Sequence, residues 1–282
     1  MVFQRTIGRA AELSGVGVHS GKAVRMRLLP SASGRILFRR TDLGGLEMPL
    51  SVRTVESRNS TSLVGDAFRV QTVEHLMAAL FAFGLGSLVV EIDADELPIL
   101  DGSARPFAEA AAAAGARVLD RRIDPVVIPA PFSVEEGGAS VGFEPPAGAD
   151  PGLDLSYTIV YEHPAIGEQS REIRFGQETF VRELAPARTF GFLRDVEGLR
   201  RQGLALGASL DNTVVLDETG VVNGPLRFAD EFVRHKLVDL AGDLALIGRP
   251  VFGRITARKA GHRLHLRAVR SLLDHLGLSP EA

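Results

Sequence analysis

The sequence predicts an α+β protein in which strand groups are followed by helices in each of two halves. Three observations carry this expectation. Short runs with apolar residues at alternate positions open each half of the chain. Each group of runs is followed by longer segments of helical periodicity. Between the two groups, Pro125, Pro129 and Pro131 break the chain. The boundary is placed there, giving domains 1–125 and 126–282. No sequence repeat relates the halves.

In the first half, residues 24–28 and 35–38 read as strands. Residues 72–83 read as a helix, with Thr72 as its cap and Gly84 as its stop, and residues 87–92 as a strand. Residues 98–103 form a loop, and 106–114 an alanine-rich helix closed by Gly115. In the second half, residues 153–161 alternate as a half-buried strand should, and 213–216 form another. A long helix covers 229–247, a strand 251–257, and a last helix 264–276. At 100° per residue, Val233, Leu237, Leu240, Leu244 and Ile247 form the apolar stripe of the long helix, while His235, Asp239 and Asp243 step along a different face.

Composition narrows the function. The 282 residues, 45% of them hydrophobic, are enough for a proper core. A formal net charge of -3 supplies no basic field for nucleic acid. The absence of cysteine removes disulfides and thiolate ligands, so a metal must be held by His, Asp or Glu. The opening residues lack the apolar run of a signal peptide, and the longest uncharged stretch, 76–90, is too short to span a bilayer. A cytoplasmic location is expected, with transient contact at a membrane surface left open.

The chemistry concentrates in two segments. His235 and Asp239 lie one helical turn apart on one face, as two ligands to one metal require. Glu74 and His75 begin an apolar helix far upstream. Either pair alone is more often a surface or capping pair. Together they offer two histidines, an aspartate and an adjacent glutamate, the pattern of a catalytic zinc site with one position open for water. Asp243 reads either as an exposed acid or as the orienter of a catalytic histidine, which His262, after a strand and at a turn, would supply. His265 and His275 lie among Arg263, Arg267 and Arg270 and read as a solvated face; His163 before Pro164 reads as a turn residue. The turn 15–22 fails the phosphate-loop pattern, having Val16 where a glycine is required and Ala23 where a hydroxyl is required. Residues 187–192 read as a hydrophobic loop or as a hydroxyl donor, Thr189, beside an apolar passage.

These segments, with Gln4-Arg5-Thr6, Arg39 to Asp42, Pro98 to Ser103, His163 to Ile166, Phe228 to Asp243 and Gly261-His262, resemble the zinc-dependent UDP-3-O-acyl-N-acetylglucosamine deacetylase family of lipid A biosynthesis. The resemblance implies two similar two-layer domains, each a β-sheet with helices, with the helices packed between the two sheets, a small insert in each domain, and a site at the domain junction. It implies zinc on His75, His235 and Asp239, Glu74 as general base, His262 as acid with Asp243 behind it, and Thr189 at the oxyanion. It places Lys236 near the polar head of the acylated UDP-amino sugar substrate and Tyr161 against the uracil. Phe190, Phe192, Leu206, Gly207 and Ser209 fall in the region of the acyl passage. Ser60 stands where some members have a cysteine near the metal. A monomer, transiently at the inner membrane surface, is expected. A zincin peptidase is disfavoured by the absence of His-Glu-x-x-His, and a sugar-nucleotide binder without chemistry by the intact catalytic set.

Overall fold

The computed structural model describes residues 1–57, 59–148 and 151–278. The first half contains β1 (Val2–Ile7), β2 (Ala11–Val16), β3 (Ala23–Pro30), β4 (Ile36–Arg40), β5 (Leu46–Pro49), β6 (Val55–Ser57), β7 (Thr61–Val64), β8 (Arg69–Val70), α1 (Glu74–Ala82), β9 (Leu88–Ile92), α2 (Arg105–Ala114) and β10 (Ala116–Ile123). The second contains β11 (Val126–Val127), β12 (Phe132–Glu136), β13 (Ala139–Glu144), β14 (Leu153–Val160), β15 (Glu168–Phe175), α3 (Gln177–Thr179), β16 (Phe190–Phe192), α4 (Leu193–Arg201), β17 (Val214–Leu216), α5 (Glu231–Leu244), β18 (Val251–Arg258) and α6 (His262–His275). The expected elements are present with ends shifted by a few residues, and the α+β class holds.

The two main sheets share one plan. The first runs β2-β3-β9-β4-β5 and the second β12-β13-β18-β14-β15. In both, the only parallel pair along this path is the third, β9 with β4 and β18 with β14. In both, the central strand lies between two helices along the chain, α1 and α2 in the first and α5 and α6 in the second. Between the last strand of the path and the helix before the central strand, each half carries an extra piece: the small sheet β6-β7-β8 between β5 and α1, and the parallel pair β16-β17 with α4 between β15 and α5. Among the described residues, no strand pair crosses residue 125.

Helices join the layers. α2 packs on α1 and β2, α6 packs on α5, β12 and β13, and α1 packs on α5. The strand β14 alternates buried and half-buried residues along its full length, placing Leu153, Leu155, Tyr157 and Ile159 in the core. The apolar stripe of α5 is buried, but so is its polar face; only Lys236 is partly accessible. Burial on all sides explains why this helix can carry charged groups only where they are paired. No helix among the described residues is long and apolar enough to cross a membrane.

Candidate metal centre and its cavity

α1 and α5 meet at their polar ends. Gly242 makes this possible: a Cβ there would lie 2.2 Å from the Glu74 carbonyl oxygen. The close approach brings His75 and His235 together, ring centres 5.0 Å apart and nearly perpendicular. One ligand atom each from His75, His235 and Asp239 lies within 4.8 Å of the others. His235 Nε2 is 3.4 Å and His75 Nε2 4.0 Å from Asp239 Oδ1. Tetrahedral bonds of about 2.0–2.2 Å set ligand atoms roughly 3.3–3.5 Å apart, so the spacing needs only a small contraction.

Electrostatics favour a cation there. Burial pushes the His75 imidazole down to about 3 and lowers His235 as well, so both rings are neutral and can offer lone pairs. His235 Nδ1 sits 3.1 Å from the Ala187 carbonyl oxygen, which accepts its N–H and so leaves Nε2 without a proton. His75 Nδ1 is buried with no hydrogen-bond partner among the described residues. Burial works against an ionised Asp239, but Lys236 Nζ at 2.7 Å, together with His262, outweighs it and holds the carboxyl well below its usual range. Two neutral imidazoles and a carboxylate turned on one another, with no proton to share at these distances, fit a bound cation.

Around this centre lies a cavity of about 520 Å³. Glu74 enters it fully buried, and desolvation pushes its carboxyl up to about 7. Its Oε2 accepts the Thr61 backbone N–H at 3.1 Å, which leaves Oε1 free, 3.9 Å from His262 Nε2. Burial opposes a charge on His262, yet Asp243 above all, with Asp239, overcomes this and raises it to about 10. Asp243 is fully buried; its Oδ2 receives His262 Nδ1 at 2.8 Å and its Oδ1 the Thr61 hydroxyl at 2.5 Å. The orienter reading of Asp243 therefore has its geometry, and the exposed-acid reading does not.

Thr189 lines the cavity, its backbone N–H held by the Gly102 carbonyl at 2.8 Å. The loop 98–103 thus reaches from the first half into the second, and Asp101 fixes it there through Arg227 at 3.0 Å. Gly102, with φ +82°, lies so close to Asn212 that a Cβ would meet its carbonyl at 1.9 Å. Tyr161, Phe190, Phe192 and Ser209 line the same cavity; Phe190 packs edge-on to Tyr161 and to Phe232, with Lys236 Nζ 5.6 Å from its ring centre. Leu206 and Gly207 do not line it. Their backbone N–H groups bind the carbonyls of His19 and Val18, which do, so they act one step back. Ser60 is buried at the cavity wall.

Several contributors escaped the sequence reading. Leu193, Val196 and Leu199 of α4 add an apolar wall at a spacing of three that was open to inspection. The glycine-rich turn does join β2 to β3, but it closes on Glu96, a buried carboxylate not singled out. Glu96 accepts the backbone N–H groups of His19 and Ser20 at 2.9 and 2.8 Å and the Thr72 hydroxyl at 2.9 Å. Thr72 is accordingly not the cap of α1: it takes a positive φ of 58° and turns its hydroxyl to Glu96. His265 is not on a solvated face; it is buried, with Nδ1 2.8 Å from Asp243 Oδ2. His163 does occupy a turn, but a buried one, with Nε2 2.6 Å from the Asp217 carbonyl oxygen.

Comparison with known proteins gives the family. The family described as LpxC, UDP-3-O-acyl N-acetylglycosamine deacetylase, matches residues 4–274. The chain is 46% identical over 275 residues to a protein of Myxococcus xanthus (strain DK1622) named UDP-3-O-acyl-N-acetylglucosamine deacetylase, covering 96% of this chain and 86% of that one. A protein of the same name from Thermodesulfovibrio yellowstonii is 41% identical over 278 residues, covering 97% and 93%, and one from Anaeromyxobacter dehalogenans 43% over 273, covering 96% and 87%. With nearly the whole length matched, the chain belongs to the UDP-3-O-acyl N-acetylglycosamine deacetylase family.

Proposed function

We propose that this protein removes the N-acetyl group from UDP-3-O-acyl-N-acetylglucosamine, releasing acetate in lipid A biosynthesis, with zinc held by His75, His235 and Asp239. The observation that carries the reading is the convergence of that donor set with Glu74 and His262 at one end of an apolar-walled cavity. When bound, the ion lowers the pKa of a water toward about 7 and polarises an amide carbonyl.

The residues divide the remaining work. Glu74 Oε1, free of hydrogen bonds and facing the cavity, takes the proton of the attacking water. The Thr189 hydroxyl donates to the oxyanion, fixed in place beforehand by the loop at Gly102. His262, whose Nδ1–H is held by Asp243, presents Nε2–H to the leaving amine, which departs only once protonated. Lys236 meets the polar head, Tyr161 the uracil, and Phe190, Phe192 and Ser209 border the acyl passage with α4 as an added wall; Leu206 and Gly207 support the Val18–His19 backbone. The chain divides near residue 125 into two domains, with the site at their junction. It acts as a monomer in the cytoplasm, touching the inner membrane surface only transiently.

The test is acetate release from the acylated UDP-amino sugar by purified protein, with and without chelator. Release that stops on chelation and returns with about one equivalent of zinc per chain supports the reading. No release from folded, zinc-loaded protein across several acyl lengths would replace it with a sugar-nucleotide binder.

A further inference from the structure

Asp243 serves two imidazoles, not one. His262 and His265 lie three residues apart on one face of α6, and each places Nδ1 2.8 Å from Asp243 Oδ2. Both side chains of the second pair, Asp243 and His265, are fully buried. A carboxylate only accepts, so each Nδ1 must carry a hydrogen. Burial disfavours a second proton on His265, which leaves Nε2 as its acceptor atom. Nε2 faces the hydroxyl of Tyr157, a fully buried residue of β14, at 3.1 Å. The Ala260 carbonyl, two residues before His262, lies 2.7 Å from the same oxygen, so the one hydrogen of the hydroxyl is shared between Nε2 and that carbonyl. A chain of contacts therefore runs from the core strand through Tyr157, His265 and Asp243 to His262.

We infer that His265 is a positioning residue for the deacetylation: its Nδ1–H holds the Asp243 carboxylate in the orientation that presents Oδ2 to His262. This rests on His262 acting as the acid in the reading above. Thr61 meets Oδ1, and its hydroxyl oxygen also lies 3.1 Å from His262 Nδ1, but it does not hold Oδ2. Without His265, Oδ2 keeps a single donor, His262 itself, and loses the anchor that fixes it independently of His262. His265 does not line the cavity and is not one of the three ligands; beyond an edge contact of its ring with that of His262, its hydrogen-bonded route to the site runs through Asp243.

Three variants test this on the full, metal-loaded chain. His265→Leu fills the space without the donor. His265→Asn carries an amide nitrogen at the position of Nδ1 and keeps it. Removing an orienting partner of this kind typically lowers activity about 10–100-fold, so His265→Leu should lose that much kcat with KM and metal content unchanged. His265→Asn should recover most of the loss, and His265→Leu should add nothing in an Asp243→Asn background, because the pathway is already cut. Wild-type kcat in His265→Leu overturns the inference, as does an Asn variant as slow as the Leu variant, or a full additional loss in the Asp243→Asn background. If His265→Leu does not fold, His265→Asn decides alone: a loss beyond about 10-fold overturns the proposal. An inactive wild-type enzyme would remove the deacetylase reading and this inference together, whereas an active wild type with an indifferent His265→Leu removes only the inference.

Discussion

Gly242→Ala should disable the metal centre without touching a ligand. The new Cβ would lie 2.2 Å from the Glu74 carbonyl oxygen and 2.9 Å from its Cα, where ordinary contact begins at 3.4 Å. The obstacle is backbone, so no side chain can swing aside; the first turn of α1 must retreat by about 1.2 Å from α5. That turn carries Glu74 and His75, while α5 carries His235 and Asp239. A displacement of about 1 Å in a catalytic constellation costs on the order of 100-fold in rate, and overpacking of this kind costs about 1–3 kcal/mol. Helix propensity predicts the opposite sign, since alanine in a helix interior is favoured over glycine by about 1 kcal/mol. Gly198 in α4 is the control, because a Cβ there meets nothing within 4 Å. The assay is metal affinity by chelator competition, acetate release and thermal midpoint for both variants. Gly198→Ala should hold or raise the midpoint; Gly242→Ala should lower all three quantities. A Gly242→Ala protein with wild-type metal affinity and turnover would show that the approach of α1 to α5 does not set the site.

Three further outcomes are expected. Glu74→Gln should keep its metal and lose roughly 10²–10⁴ in kcat, and a variant turning over at the wild-type rate would remove Glu74 as base. His235→Ala should be purified without stoichiometric metal, and full occupancy would take His235 out of the ligand set. Glu231→Gln should destabilise the fold by on the order of 3 kcal/mol at neutral pH by breaking a buried pair with Arg188. Burial alone would raise the Glu231 carboxyl, but hydrogen bonds from Arg188 and from the Arg227 backbone hold it below its ordinary value. Its contribution is thus fully present above the unfolded pKa of about 4.3 and is lost as pH falls through the lower folded value. The difference in thermal midpoint between Glu231→Gln and wild type should therefore shrink in acid, and a constant difference from neutral to strongly acid pH would refute the assignment.

The parts legible in the sequence were those written in local periodicity. Alternation placed Tyr157 and its neighbours on β14, and the 100° step separated the ligand face of α5 from its apolar stripe. The spacing of His235 and Asp239 was enough to pair them. Glu96 and Thr61 were not legible, because their partners come from distant segments: Thr61 meets Asp243 across 182 residues. Thr61 sits in a run of alternating small residues where nothing marks a hydroxyl as internal. His265 is a different case. Its arginine neighbours suggested solvent, but the angular check applied to α5 would have aligned it with His262, Val269 and Leu272, all on the inner face. Thr72 misled because a hydroxyl before a helix is most often a cap, and only the distant Glu96 gives it another use.

The matching order of the two sheets has a thermodynamic consequence. His75 comes from the helix before the central strand of one sheet, and His235 and Asp239 from the corresponding helix of the other. With the proposed ligands, neither half owns enough to hold an ion, so affinity for the ion and cohesion of the two halves would be linked quantities. Whatever binds the assembled arrangement favours assembly, and by reciprocity whatever loosens the seam weakens the ion. A substitution at the far end of that seam, where Phe81 stacks on Phe175 at 5.3 Å, should thus be detectable as an altered metal dissociation constant while every ligand remains in place.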